Sequence, residues 1–109
     1  MMASEFAGAL RYRVRIERLT AARTASGLQR DQWEKLCDCL AAITPEGVGP
    51  ESQAMALAAN QRLTVTIRAR PGIEVGQRVV WGARRLIIIQ RVDDPGLRDR
   101  IMLRCEEGR

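Results

Sequence analysis

Hydrophobic and polar residues alternate along most of this chain, and that alternation is its main structural signal. Leu10, Tyr12, Val14 and Ile16 alternate with Arg11, Arg13, Arg15 and Glu17, the period-2 pattern of a strand with one buried and one wet face. Thr20 to Arg30 is small and polar around Gly27 and predicts a turn or loop, compatible with a hairpin, leading to the segment that contains Trp33. Trp33 to Ile43 is ambiguous. Trp33, Cys37, Leu40 and Ile43 make a helical stripe, whereas Cys37, Cys39, Ala41 and Ile43 make an alternating strand.

Pro45, Gly47, Gly49 and Pro50 interrupt any regular element, and Glu51 to Ala59 is rich in helix formers without a wide apolar stripe. The sequence therefore predicts a long loop over about 44–60, with room for a short helix. Loops of this length are usually functional or disordered, and either way this one is the expected partner-binding feature. The strand pattern then returns, with Leu63, Val65, Ile67 and Ala69 opposite Arg62, Thr64, Thr66, Arg68 and Arg70, and Pro71-Gly72 ends it.

Val79 to Trp81, Gly82-Ala83 and Arg85 to Val92 form a hairpin pattern. Its second strand places Leu86, Ile88 and Val92 on one face and Ile87 and Ile89 on the other, as in a strand buried on both sides. Asp93 to Gly96 is a strong turn signal, and Ile101, Leu103 and Cys105 alternate with Arg100, Met102 and Arg104 in a closing strand. The pattern predicts a mainly all-β single domain over residues 1–109, a small antiparallel barrel or sandwich of five to six strands with one long loop. Trp33, Trp81, Ile88 and Leu103 are its expected core anchors.

Composition narrows the function. A length of 109 residues with 46% hydrophobic content supports one modest core. No apolar run reaches the roughly 20 residues of a membrane span, so a soluble chain is expected. Met1 to Leu10 lacks the basic start and long apolar segment of a signal peptide, and three cysteines make a poor disulfide framework. Free thiols in a reducing cytosol are expected. The net charge of +5 points toward acidic partners or nucleic acid. Among 18 cationic residues only Lys35 is lysine, which favours bidentate contacts with carboxylates or phosphates, although a GC-rich genome produces the same bias.

Candidate chemistry is sparse. The chain has no histidine, which removes the commonest general base and metal ligand together. No nucleophile elbow or phosphate-binding glycine loop occurs, and Cys37 with Cys39 supplies half of a structural zinc site at most. An enzyme is not expected, and neither is a cofactor or metal. Arg11, Arg13 and Arg15 beside Arg68 and Arg70 would make a basic stripe if their strands were neighbours. An OB-like barrel that binds single-stranded nucleic acid is the alternative, opposed by the shortage of aromatics for base stacking.

Several pieces recur in the order of a known family. They are Gly8-Ala9-Leu10-Arg11-Tyr12-Arg13-Val14, Gly27 and Trp33, Ala41 and Pro45, Thr66-Ile67-Arg68 with Pro71-Gly72-Ile73, and Arg78-Val79 with Gly82. Ile88 to Asp93 and Leu103-Arg104-Cys105-Glu106 complete the set. In this order they resemble the phage head-tail joining family, the head-closure or stopper proteins of long-tailed phages, over nearly the whole chain. The sequence departs from that family at Leu40, where an aromatic is frequent, and near Gln61 and Arg62, where a histidine is common.

The resemblance implies a virion protein of the phage neck, assembled in the bacterial cytoplasm as a ring, a dodecamer in this expectation. The ring would lie between the portal and adaptor proteins on the head side and a tail terminator or tail-tube protein on the tail side. Its loop would help close the channel, with contact to packaged DNA open. Arg11, Arg13, Arg68, Arg70, Pro45, Glu46, Glu51 and Met55 are the expected partner-binding residues.

Overall fold

The computed structural model describes residues 8–23, 29–46 and 61–107. Six antiparallel strands run in order: β1 (Tyr12–Arg23), β2 (Gln29–Pro45), β3 (Arg62–Arg68), β4 (Arg78–Trp81), β5 (Arg84–Val92) and β6 (Arg100–Glu107). They close in the order β1-β2-β3-β6-β5-β4, with β4 returning to β1, so the architecture is a barrel and not a sandwich.

The ambiguous segment 33–43 is strand. Ala41 and Ile43 sit opposite Ile67 and Val65 on β3, while Cys37, Cys39 and Ala41 face Ile16, Val14 and Tyr12 on β1. Ladders on both sides satisfy the backbone, and the alternating set lands inside. The helical stripe would have required Leu40 to be buried, and it is 47% exposed.

The loop expected over Thr20 to Arg30 is mostly strand as well. Pairing continues from Leu19 opposite Trp33 to Arg23 opposite Gln29, so small polar residues extend the ladder as a hairpin. β4 covers β1 only from Arg15 to Glu17, and β3 covers β2 only from Ala41 to Pro45. The outer part of the hairpin is therefore a two-stranded ribbon. At about 3.3 Å per residue, the six residues from Arg18 to Arg23 carry it roughly 20 Å beyond the seam with β4.

The start of the expected long loop is also ordered. Thr44 and Pro45 belong to β2, Glu46 forms a turn, and residues 47–60 lie outside the described residues. The Glu46 amide donates to the Arg62 carbonyl at 3.3 Å. By antiparallel alternation, Pro45 therefore turns its nitrogen away from β3, toward the side where β1 has already ended at Tyr12 opposite Ala41. A residue without an N–H loses no ladder bond there.

The core is assembled from one face of every strand. Val14, Ile16, Ala41, Ile43, Leu63, Val65, Ile67, Val79, Leu86, Ile88, Ile101, Leu103 and Cys105 form one buried cluster, joined by Ile73 from the β3–β4 connection. That connection is held by Gln77, a buried polar side chain. Its amide nitrogen donates to the Gly72 carbonyl at 2.7 Å, and its carbonyl accepts from the Glu74 amide at 3.0 Å. Gly72 and Gly76 carry φ of 87° and 93°, values at which a side chain is strained, and so allow the tight path around it.

Two bulges adjust the pattern. Ile16 pairs with Cys37 but Glu17 with Lys35, leaving Leu36 as the extra residue; Ile88 pairs with Cys105 but Gln90 with Arg104, leaving Ile89 extra. The second bulge corrects two expectations. Ile89 is 42% exposed, so β5 is not buried on both faces at this position. Beyond it the phase shifts: Arg91 now opposes buried Leu103, and Val92 opposes Met102 instead of joining Leu86 and Ile88.

The expected anchors separate into two groups. Ile88 and Leu103 are completely buried and Trp81 packs against the cluster, but Trp33 lies outside it, with the Arg78 guanidinium 4.2 Å from its ring centroid. Trp33 is on the ribbon, where no second layer covers it. Ile88→Ala should cost about 2–5 kcal/mol. Trp33→Ala should cost only about 1 kcal/mol, the cation–π contact and part of its apolar area. Chemical-denaturation midpoints of the two variants check this ranking.

Candidate assembly surface

Around the closed barrel the strand edges are paired and the unpaired edges belong to the ribbon, so contacts to other molecules use the outer wall, the ends or the ribbon. Leu19, Leu40, Val75 and Ile89 are the exposed large apolar side chains among the described residues, and of these Leu40, on β2, lies among the expected arginines. It lies opposite Arg13 on β1, and on its other side it shares a shallow groove of about 200 Å³ with Leu10, Cys39, Arg68 and Arg70. Arg13, Asp38 and Cys39 line a second groove of about 220 Å³ around the same leucine. β2 separates β1 from β3, so the expected arginines do not form one stripe. They frame an apolar residue instead.

Neighbouring charges are largely engaged within the sheet. Arg15 and Lys35 meet Asp38 at 3.2 and 3.1 Å, and Arg18 meets Glu34 at 3.1 Å. The hydrogen bonds from Lys35 and then Arg15 hold the Asp38 carboxyl below its ordinary range. These pairs are exposed and contribute little to stability, but they remove Arg15 from the free cations. Arg11 and Arg13 are exposed. Arg68 is exposed and acts electrostatically on Asp99.

The other expected contact residues fall elsewhere. Pro45 is buried at the end of β2. Glu46 is held by Arg104 at 2.6 Å, and this hydrogen bond lowers its carboxyl pKa. Glu46 thus anchors the start of the loop to β6. Glu51 and Met55 lie outside the described residues. Leu40 was missed as a surface residue because the helical stripe claimed it; the strand alternative already pointed it away from Cys39 and Ala41.

Tyr12 meets Trp81 edge to face at 5.1 Å, the Arg84 guanidinium lies 5.4 Å from the Trp81 ring, and Arg78 covers Trp33. Cys37, Cys39 and Cys105 are free thiols. Among the described residues, no three His, Cys, Asp or Glu side chains gather as a metal site. Burial, with a smaller contribution from Cys37, pushes the Cys39 thiol up to about 11, and burial pushes Cys105 up to about 12.

Strand pairing, a single apolar interior and an outer wall of cross-strand ion pairs define a small closed β-barrel. The chain belongs to the phage head completion protein family, whose model matches residues 7–108, and it is accordingly a phage virion structural protein. That family is one of structural proteins, not of enzymes. A Shigella flexneri 2a protein solved in solution superposes with a TM-score of 0.67 at 26% identity, covering 91% of this chain and 93% of the other. A chain from the virion of a native gene transfer agent particle gives 0.63 at 18% identity over 91% and 96%, a likeness of fold. No curated protein matches the chain.

The raised thiols predict an alkaline effect. A group whose pKa is higher in the folded than in the unfolded chain stabilises fully below the unfolded value, here 9.0, and that contribution is lost as pH rises through the folded value of about 12. Unfolding free energy should therefore fall as the pH rises above 9. Cys105→Ala should flatten this slope while lowering the midpoint at neutral pH. Denaturation curves across that range, wild type beside variant, check both effects.

Proposed function

We propose that this protein closes the filled head of a tailed phage or prophage, its copies forming a ring between the portal-adaptor complex and the tail that retains the packaged DNA. The observation that carries this reading is the outward-facing Leu40, framed by Arg13, Arg68 and Arg70 on the wall of a barrel without free edges. An exposed apolar side chain ringed by arginines suits a protein interface, where Arg supplies bidentate contacts around an apolar centre. Membership of the head completion family and a fold shared with a chain of a gene transfer agent virion support the same reading. In this reading the ring is dodecameric, and the ribbon reaches a neighbouring copy or the adaptor.

The OB-like alternative has no specific support. Its strongest candidates for base stacking, Trp33 and Trp81, are each covered by an arginine.

Leu40→Asp and Arg13→Glu should both block joining without unfolding the subunit, because neither side chain is in the core. A phage carrying either substitution should accumulate DNA-filled heads apart from free tails, or heads that lose DNA, while circular dichroism of the purified variant stays that of the wild type. Normal yields of joined, infectious particles would remove this surface from the assembly.

A further inference from the structure

At the end of the barrel where β3 and β5 finish and β6 begins, the chain encloses a cleft of about 500 Å³. Four arginines line it, Arg70, Arg91, Arg98 and Arg100, against two aspartates, Asp93 and Asp94; Leu97 and Ile101 are among its apolar walls. Two of the arginines are already committed. Arg91 donates to both carboxylate oxygens of Asp93, at 3.3 and 3.1 Å, and to the Ile73 carbonyl. Arg100 grips Asp99 at 3.0 and 3.3 Å. Asp94 is committed as well, accepting from the Gly96 amide at 2.8 Å.

Arg70 and Arg98 differ from these. The Nε–H of Arg70 is buried and meets no acceptor among the described residues. Arg98 is exposed, and its guanidinium has no acceptor among them either. Buried donors are nearly always paired in native proteins, so an unpaired one on a side chain that lines a cleft points to an acceptor supplied from outside the described residues. A guanidinium presents its donors as a fork that matches a carboxylate.

We propose that this cleft receives an acidic side chain, a Glu or Asp flanked by apolar residues on a neighbouring virion polypeptide, between the guanidinium groups of Arg70 and Arg98. Charge selects a carboxylate over a nucleic-acid backbone. With Arg91 paired to Asp93 and Arg100 to Asp99, Arg70 and Arg98 are offset only by Asp94, which leaves one net positive charge, enough for one carboxylate. Asp93, Asp94 and Asp99 around the same turn repel a continuous run of phosphates. The apolar wall of Pro95 and Leu97 gives the flanking residues a surface to cover.

The inference rests on the assembly reading for the source of the acidic residue, but not for its test. The joining assay above reads assembly; a titration of the purified full chain reads the cleft alone. The probe is the peptide acetyl-Ala-Glu-Leu-amide, followed by backbone amide shifts, with the Gln counterpart and a short DNA duplex as comparisons. Shifts should concentrate at residues 69–70 and 94–101 and saturate with the Glu peptide. The Gln peptide should bind about tenfold more weakly, as should the Glu peptide to Arg98→Ala, with Arg98→Lys recovering part of the loss. Arg98 is exposed, so its replacement leaves the fold intact. Equal binding of the Glu and Gln peptides, unchanged binding by Arg98→Ala, or shifts at this cleft with DNA and not with peptide would each overturn the proposal.

Discussion

Closure of the barrel depends on the seam between β1 and β4, the shortest contact in the sheet, where only Arg15, Ile16 and Glu17 pair with Val80, Val79 and Arg78. Ile16 and Val79 meet inside, both fully buried, while Glu17 and Arg78 meet outside at 2.5 Å. The ion pair is largely shielded from water, and the Trp33 ring on the ribbon covers Arg78. Removing one member of such a shielded pair leaves the other charge poorly solvated, so loss of either partner strongly destabilises the seam. Without it, β4 and β1 would each expose an edge, and the sheet would be open to pairing with other chains.

Closure has consequences for assembly. Once the backbone of the barrel is satisfied around its circumference, other molecules can be recognised through side chains on the wall, through the ends, or through the ribbon. A two-stranded ribbon is only marginally stable by itself. Here it is tied to the barrel through Trp33 and Arg78 and through exposed cross-strand pairs such as Arg18 with Glu34. The same residues that complete the seam therefore also set the direction in which the ribbon leaves the barrel.

The bulges show how a small irregularity redirects chemistry. At Ile89 one extra residue moves Arg91 onto the inner face of β5 at the barrel end, where it reaches the Ile73 carbonyl and Asp93. With strict alternation Gln90 would have faced Leu103 there, and Val92 would have faced Ile101. The arginine-lined cleft at this end of the barrel is thus a product of a register shift, and Gln77 stabilises the Ile73 connection that Arg91 touches.

Most of the strands were legible in the sequence, because one face of each had to be apolar and the period of a strand is two. The β4–β5 hairpin, β3 and β6 follow directly from alternation and from the turn residues Gly82 and Asp93 to Gly96. The absence of histidine was equally plain, as were the pieces that resemble the head-tail joining family. Only the tertiary structure decided the rest. Strand won over helix at 33–43 because β1 and β3 offer ladders on both sides, and no local pattern contains that information. Trp33 left the core because its strand outruns the neighbour that would have covered it. Arg15 and Glu46 lost their availability to residues 23 and 58 positions away along the chain, Asp38 and Arg104. Local periodicity determines which face of a strand is apolar; which strands become neighbours, and where one ends before the next, depends on long-range pairing and decides which charged and aromatic side chains remain free to meet a partner.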